Sequence, residues 1–256
     1  MKQPLSAQSP FVEGYVLPVD KPIGWTSSDV VRKIKVLLRR LGYRKIKIGH
    51  AGTLDPLASG VLLVCIGRAT KTIESLQAEP KEYLATFELG ATTPSYDREH
   101  PIDCTFPYEH ITEELVRQKI GVMIGEQLQL PPTYSAKMID GKRAYEYARQ
   151  GADVEMKRAP ITIYGMEIES FSLPRLTLRI RCSKGTYIRS IARDLGEALD
   201  SGAFLYTLCR TKNGNYTLED TYTLDQVEEA LFPNQERKAP EQNLEKSHKR
   251  NIDRCF

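Results

Sequence analysis

Residues that build metal centres and disulfide frameworks are scarce in this chain. Its 256 residues include five cysteines and four histidines, which are scattered and form no Cys-x-x-Cys pair. His100 and Cys104 lie four residues apart, but two ligands do not make a zinc site. The odd, scattered set of cysteines argues against disulfides and is typical of reduced thiols in the cytoplasm. We therefore expect no metal site and a cytoplasmic location.

Long apolar segments are also missing. No apolar run reaches the roughly 18 residues that a membrane-spanning helix needs, and the N-terminal residues lack the apolar core of a signal peptide. Hydrophobic residues make up 41% and charged residues 27% of the chain, which is typical of a soluble globular protein. The length allows one large domain or two small ones.

Acidic residues are absent from one stretch of the sequence. Residues 31–50 contain eight Lys or Arg and no Asp or Glu, whereas the net charge of the whole chain is only +3. A local concentration of positive charge is typical of phosphate binding. A solvent-exposed helix face is the commoner explanation of any single charged run, so the stretch alone does not decide the matter.

A single carboxylate follows this basic stretch in an unusual setting. Residues 49–60, GHAGTLDPLASG, surround Asp55 with small and turn-forming residues. Pro56 disfavours a helical backbone at Asp55, and the glycines permit sharp turns and close approach of another backbone. An acid on a rigid turn beside basic residues suggests chemistry on a polyanion. The structural alternative is that Leu-Asp-Pro simply begins a helix.

The spacing of apolar residues predicts both strands and helices. Their mixture favours an α+β fold with a mixed, largely antiparallel sheet and flanking helices. Strands are predicted at 14–19, 61–67, 81–90 and 176–183. A helix capped by Ser27 or Ser28 is predicted to run to about Leu41. Further helices are predicted at 112–124, 141–150 and 187–199, and a hairpin turn at Asn213-Gly214.

Four further segments are motif-like: LPVDKPIGWTSSDVV (17–31), KEYLATFELG (81–90), PPTYSAKMIDGKRAYEYAR (131–149) and CSKGTYIRSIARDLG (182–196). Taken in order with GHAGTLDPLASG, they resemble the type B family of bacterial tRNA pseudouridine-55 synthases over about residues 14–215. The ordered set is very specific, whereas each motif alone is weaker. The resemblance implies a pseudouridine-synthase fold and isomerisation of a T-loop uridine in tRNA, without cofactor, metal or guide RNA.

The resemblance also implies roles for individual residues. Asp55 matches the catalytic aspartate of the family, and Arg189 in GTYIRS matches the arginine that pairs with it. Tyr187 matches the active-site tyrosine beside that arginine, and Tyr83 matches the tyrosine that stacks on the target base. Arg189 is alternatively a plain structural ion-pair partner, and Tyr83 a strand residue of the core.

Three more substrate-binding residues follow from the same comparison. His50 matches the histidine that helps to open the tRNA loop, and Leu208 aligns with an active-site leucine in a less similar context. Lys71, in GRATK, matches a position near the site. In the segment TTPSYD (92–97), Asp97 is retained and Ser95 replaces the usual threonine, from which we expect little effect.

The chemistry explains why these residue types are needed. The glycosidic bond at N1 of uridine breaks and C5 is joined to C1′, so the base must first be flipped out of the folded RNA. Stacking on an aromatic face recovers roughly 1–3 kcal/mol of that cost. Asp55 either attacks C1′ or removes the C2′ proton to give a glycal, which the family mechanism now favours. Tyr187 either assists proton removal at C5 or packs against the sugar.

The composition of the chain and the resemblance together predict the domain organisation and partners. We expect a flexible arm at 1–12, a catalytic domain at 13–232 with an RNA-gripping insertion at 131–158, and a polar flexible tail at 233–256. The insertion is basic, and its partner is the T-stem loop of tRNA. The residues after about 215 are too few for the C-terminal PUA domain that many family members carry. We expect a monomer.

Two other functions compete with this interpretation. A protein that only binds or folds tRNA would have dispensable catalysis and no need for Asp55. A nucleoside or RNA glycosidase would release free uracil and usually needs a second carboxylate, for which the sequence offers no framed candidate.

Overall fold

One nine-stranded sheet organises the part of the chain that the computed structural model describes, which is residues 2–135, 138–139, 142–143, 147 and 156–233. Its strands are β1 (Tyr15–Lys21), β2 (Ile48–Ala51), β3 (Ala58–Ile66), β4 (Lys81–Leu89), β7 (Gly125–Gln129), β10 (Ala159–Ser172), β11 (Arg175–Cys182), β12 (Ala203–Asn213) and β13 (Tyr216–Thr217). Two small hairpins pair β5 (Ala91–Thr92) with β6 (Cys104–Thr105) and β8 (Met138–Ile139) with β9 (Lys142–Arg143).

The strand order is β1-β3-β12-β4-β11-β10-β7, with β2 paired to β3 and β13 paired to β12. Only the short β3–β12 pairing is parallel among the pairings of the described strands. The flanking helices are α1 (Ser27–Arg40), α2 (Ile73–Ala78), α3 (Glu113–Val122), α4 (Ile188–Ala198) and α5 (Leu224–Leu231). The predicted α+β class with a largely antiparallel sheet is confirmed.

The apolar pattern of each strand matches the layer that it faces. In β11, Leu176, Leu178, Ile180 and Cys182 alternate onto one face and are fully buried against a core that includes α4. The apolar run of β3 is continuous because both its faces are covered. Leu62 and Val64 pack in a core with α1 and α5, while Val61 and Leu63 belong to a separate cluster on the other side.

Most predicted elements are confirmed, and two local details are wrong. Helix α1 is capped by Thr26, whose hydroxyl accepts a hydrogen bond from the Asp29 amide, and not by Ser27 or Ser28. Lys142 and Arg143 belong to a strand, so the predicted helix at 141–150 does not begin there. Tyr147 is helical, and the other residues of that segment lie outside the described part.

The N-terminal segment, which we expected to be a flexible arm, carries packed side chains. Phe11 is 1% exposed and belongs to the core beside α1. The Tyr15 hydroxyl donates a 2.8 Å hydrogen bond to the Pro4 carbonyl, and the Tyr222 hydroxyl donates one of 2.9 Å to the Gln3 carbonyl. Except for residue 233, the predicted tail at 233–256 lies outside the described residues. In the described regions no helix is both long and apolar enough to cross a membrane.

We predict that Gly60→Ala destabilises the fold. Gly60 has φ +101°, and a Cβ placed there would lie 2.3 Å from the Arg210 carbonyl oxygen on the neighbouring strand. An alanine at this positive φ is strained, and its Cβ would displace the neighbouring backbone. Together the two effects should lower the free energy of unfolding by at least about 2 kcal/mol. Chemical denaturation measures this cost. Gly121→Ala in α3, where a Cβ meets nothing within 4 Å, is the matched control and should be neutral or mildly stabilising. Equal stability of the two variants would contradict the prediction.

Candidate active site

Asp55 lies on a turn between β2 and β3. Contacts from α1, from the end of β1 and from β12 hold this turn in place. From α1, the Ser27 hydroxyl accepts a 2.9 Å hydrogen bond from the Leu54 amide and donates one of 3.2 Å to the Leu54 carbonyl. After β1, the Gly24 amide donates to the Pro56 carbonyl at 2.8 Å. The residues flanking Asp55 are thus fixed by the backbone as well as by side chains, which supports the interpretation of the motif as a rigid turn.

Lys21 adds a buried cation beneath this turn. Its Nζ donates to the carbonyls of Pro22 at 2.9 Å and Trp25 at 2.6 Å, and it lies 3.4 Å from the carbonyl of Pro56. Burial lowers the pKa of Lys21 to about 8, although the charge of Asp55 opposes that shift. The ammonium therefore ties the end of β1 to the turn that carries the carboxylate.

Arg210 of β12 holds the other side of the turn. This side chain is 1% exposed. Its guanidinium donates to the carbonyls of Val61 at 2.7 Å, Gly52 at 3.1 Å and Thr53 at 3.4 Å. Because the fork of an arginine presents its donors in a fixed plane, the contacts set the distance between the turn and the middle of the sheet.

The carboxylate of Asp55 pairs with Arg189. The Arg189 Nε lies 2.9 Å from Asp55 Oδ2 and 3.7 Å from Asp97 Oδ2. The Arg189 side chain is 5% exposed, whereas 40% of the Asp55 side chain is exposed. Arg189 also donates a 2.9 Å hydrogen bond to the Tyr134 carbonyl. A buried guanidinium thus fixes one oxygen of a carboxylate that still faces open space.

That open space is a cavity of about 550 Å³. Five of the seven predicted site residues line it, namely Asp55, Tyr83, Tyr187, Arg189 and Leu208, and Arg210 joins them. Asp55 is the only carboxylate among the described lining residues. Such a volume is within the usual range of small-molecule sites. The cavity therefore presents one oriented acid to a ligand of nucleoside size.

The two tyrosines reach the cavity from different elements of the fold. Tyr83 lies on β4 and is 8% exposed. Tyr187 precedes the first residue of α4, where its amide donates to Gln129 Oε1 at 2.8 Å and its carbonyl accepts from Gln129 Nε2 at 3.1 Å. Burial raises the pKa of both hydroxyls. Both phenols consequently stay protonated at neutral pH and offer an aromatic surface and a hydrogen-bond donor.

His50 and Lys71 are not among the residues that line this cavity. His50 lies on β2 opposite Val64, with its Nδ1 buried and without a hydrogen-bond partner in the described residues. Burial lowers the pKa of this imidazole, so its neutral form is favoured. Lys71 belongs to a 3₁₀ turn (Gly67–Thr72) and borders a separate depression of about 450 Å³. The structure brings neither residue into the cavity with Asp55.

The residues that hold the site were not predicted from the sequence as site residues: Lys21, Ser27, Asp97, Gln129 and Arg210. Four of them had a signal. Lys21 and Ser27 belong to the motif-like segment 17–31, Asp97 was retained in the TTPSYD segment, and Arg210 follows Leu208 by two residues. Gln129 lies in none of the motif-like segments, and no local pattern distinguishes it from an ordinary strand residue. No group of three or more metal-ligating side chains occurs among the residues that the structure describes.

We predict that Lys21 makes folding stability rise between pH 8 and pH 10. Because burial lowers its pKa from 10.5 to about 8, the unfolded chain binds more protons than the folded chain in this window, and stability then increases with pH. The unfolding free energies of the wild type and Lys21→Met should be measured across the window by chemical denaturation. The wild type should gain stability relative to the variant.

The exposed Lys45→Met is the control for this measurement, because it should show no such trend relative to the wild type. Burial also lowers the pKa of Lys81 to about 8. Because Lys81 is present in every protein compared, its contribution cancels from the differences in unfolding free energy. A pH-independent difference between the wild type and Lys21→Met would contradict the assignment.

Known proteins share the sequence of this chain over most of its length. Residues 39–188 match the family model for the TruB family pseudouridylate synthase N-terminal domain, and residues 189–248 match that for the tRNA pseudouridylate synthase B C-terminal domain. A tRNA pseudouridine synthase B of Phocaeicola vulgatus is 54% identical over 86% of this chain and 94% of its own length. One of Flavobacterium johnsoniae is 49% identical over 86% of this chain and 97% of its own length.

Solved structures carry the same fold. A Cbf5-Nop10-Gar1 complex contains a chain that is 28% identical to this one, with a TM-score of 0.66 over 90% of this chain. The present chain spans 60% of that one. A chain of an H/ACA ribonucleoprotein bound to a substrate RNA is 27% identical, with a TM-score of 0.63 over 86% of this chain and 53% of its own length. The family matches and the curated relatives together show that the chain belongs to the TruB family of pseudouridylate synthases.

Proposed function

We propose that this protein isomerises uridine to pseudouridine in tRNA, at the T-loop uridine numbered 55, with Asp55 as the catalytic group. The observation that carries the proposal is the pairing of Asp55 with the buried Arg189 at the wall of a cavity. The name shared by the relatives, tRNA pseudouridine synthase B, supports the substrate. The agreement between the tRNA position and the number of Asp55 is a coincidence.

The cavity accommodates a base that has been flipped out of the tRNA loop. Unstacking costs a few kcal/mol, and the face of Tyr83 can recover part of that cost by stacking. The apolar side chain of Leu208 and the rings of Tyr83 and Tyr187 line the same space. These surfaces limit the access of water, which would otherwise trap the sugar and release the base.

Asp55 is oriented for chemistry at the sugar. Its Oδ2 is held by Arg189 at 2.9 Å, so the carboxylate is oriented to act on C1′ or on the C2′ proton. The oriented carboxylate suits both routes, and the family mechanism favours the glycal. Since burial raises the pKa of Tyr187, a phenolate there is costly. Tyr187 therefore suits hydrogen-bond donation or packing against the sugar better than proton removal at C5.

A glycosidase is less well supported than an isomerase. Glycosidases usually place a second carboxylate about 5–10 Å from the first, and no second acid lines the cavity among the described residues. Asp97 also approaches Arg189, but it does not line this cavity; it is 6% exposed, and one of its oxygens accepts from the Ser95 hydroxyl. A pure tRNA-binding or tRNA-folding role is the remaining candidate, and the oriented acid argues against catalysis being dispensable.

A basic depression supports RNA contact outside the cavity. Lys45, Lys47, Arg68 and Lys71 line it, and none of its described lining residues is acidic. It borders β2, which leads to His50 and then to the Asp55 turn. We assign this depression to phosphates of the tRNA, and we assign His50 to opening of the tRNA loop.

The insertion at 131–158 is assigned to the T-stem loop. Lys157 and Arg158 are exposed, whereas Lys137 and Arg149 lie outside the described residues. We further propose that the protein acts as a cytoplasmic monomer without a guide RNA. Residues 13–232 form the catalytic domain in this proposal.

The deciding experiment is nucleoside analysis of an unmodified tRNA transcript after incubation with the protein and no added metal or cofactor. The wild type should form pseudouridine at the T-loop position. Asp55→Asn should lower the rate by at least about a thousandfold, because the variant keeps the shape but loses the carboxylate. Asp225→Asn, an exposed carboxylate of α5, is the matched control and should be fully active. Binding without pseudouridine would favour the tRNA-folding role, and free uracil would favour the glycosidase.

The assignment of the basic depression makes a separate prediction. Lys71→Gln and Lys45→Gln should each weaken tRNA binding and reduce the slope of log affinity against log salt by about one unit, since each phosphate contact releases a counterion. Titrations of tRNA at several salt concentrations measure both quantities. Lys119→Gln, on α3, which packs near the opposite end of the sheet, should leave the slope unchanged. An unchanged slope for Lys71→Gln and Lys45→Gln would remove the depression from the tRNA-binding surface.

A further inference from the structure

A histidine outside the cavity contacts the residues that support Arg189. His100 lies in the connection between β5 and β6 and is half-buried. Its Nδ1 is 3.0 Å from the Ser95 hydroxyl oxygen. Its ring lies on that of Tyr134, with centroids 4.7 Å apart and planes tilted by 50°. His100 thus touches two segments that are distant in the sequence.

The direction of the hydrogen bonds identifies the protonated nitrogen. The Ser95 hydroxyl donates to Asp97 Oδ1 at 2.6 Å, and that oxygen also accepts from the Glu99 amide at 2.9 Å. A carboxylate can only accept, and a hydroxyl has a single proton. Ser95 must therefore accept from His100, which means that Nδ1 of His100 carries the proton.

Both contacts of His100 lead to Arg189. The Tyr134 carbonyl accepts a 2.9 Å hydrogen bond from the guanidinium, and the Ser95 carbonyl lies 3.4 Å from the same nitrogen. Asp97, which Ser95 orients, places its second oxygen 3.7 Å from the Arg189 Nε. Because Arg189 is 5% exposed, water cannot readily replace these partners, and their positions determine that of the guanidinium.

We propose that His100 is a positioning residue: by donating to Ser95 and packing on Tyr134, it fastens together the two segments that orient Arg189, and through Arg189 it orients Asp55. The inference rests on the proposed isomerase function. His100 does not line the cavity among the residues described there, so it acts on the geometry of the acid and not on the substrate.

Three substitutions separate the two contacts. His100→Asn keeps an N–H donor near the position of Nδ1, His100→Phe keeps a ring on Tyr134 without the donor, and Ser95→Ala removes the acceptor. We expect His100→Phe and Ser95→Ala each to lower kcat about tenfold, because each removes a hydrogen bond from the series that ends at the Asp97 carboxylate. KM should change less than about twofold, because His100 does not contact the substrate. His100→Asn should stay within about threefold of the wild-type kcat. The double variant His100→Phe/Ser95→Ala should be no slower than Ser95→Ala alone, because Ser95→Ala already removes the link to His100 together with the hydrogen bond to Asp97.

The assays are run at a temperature at which the melting curve shows every variant to be folded. His110→Phe, an exposed histidine that contacts the Leu199 carbonyl, is the control and should retain the wild-type kcat. Equal losses in His100→Asn and His100→Phe, an additive double variant, or a loss confined to KM would each overturn the proposal. If the wild type forms no pseudouridine, the proposed function fails first.

A spectroscopic readout tests the positioning role of His100 separately from the proposed isomerase function. The imidazole nitrogen chemical shifts of neutral His100 should report a proton on Nδ1 in the wild type, and this preference should be lost in Ser95→Ala. A proton on Nε2 in the wild type would overturn the positioning role even if the enzyme is active.

Discussion

The burial of the Arg189 guanidinium is the constraint on which the site depends. A cation that is 5% exposed loses most of its hydration, and the cost is offset only when its donors and charge are satisfied by protein groups. Here the partners are the Asp55 carboxylate, the Tyr134 carbonyl and, at longer distance, Asp97 and Ser95. These groups come from three separate loops, so a single buried charge determines how the loops meet. The carboxylate of Asp55 is the partner left facing the cavity.

A second buried arginine organises the opposite side of the same turn. Arg210 occupies the only parallel junction among the described strand pairs, where β12 meets β3. A side chain at Gly60 would displace the Arg210 backbone, so the glycine allows the two strands to approach. The guanidinium then spans back to Gly52 and Thr53. Two arginines therefore hold Asp55: Arg210 positions the backbone of the turn that precedes it, and Arg189 positions its carboxylate.

Much of the fold could be predicted because its determinants are local. Alternation of apolar residues identified β11, and the unbroken apolar run of β3 identified a strand that is covered on both faces. The cap of α1 was misassigned because Thr26, Ser27 and Ser28 are equally good caps by residue type. Tertiary contacts separate them, since Ser27 is occupied by the Leu54 backbone, 27 residues away.

The sequence by itself determined strands β1, β3, β4 and β11, helices α1, α3 and α4, and the rigid turn around Asp55. Through its ordered motifs it also determined the family and five residues that line the cavity. Only the tertiary structure decided what holds those residues: Arg210 reaches a carbonyl 149 positions away and Gln129 one that is 58 positions away. It also separated Lys71 from the cavity that Tyr83 and Tyr187 share. The physical reason is that periodicity and turn chemistry act over a few residues. The partner of a buried charge is set by which segments the sheet brings together, and no local pattern encodes that choice.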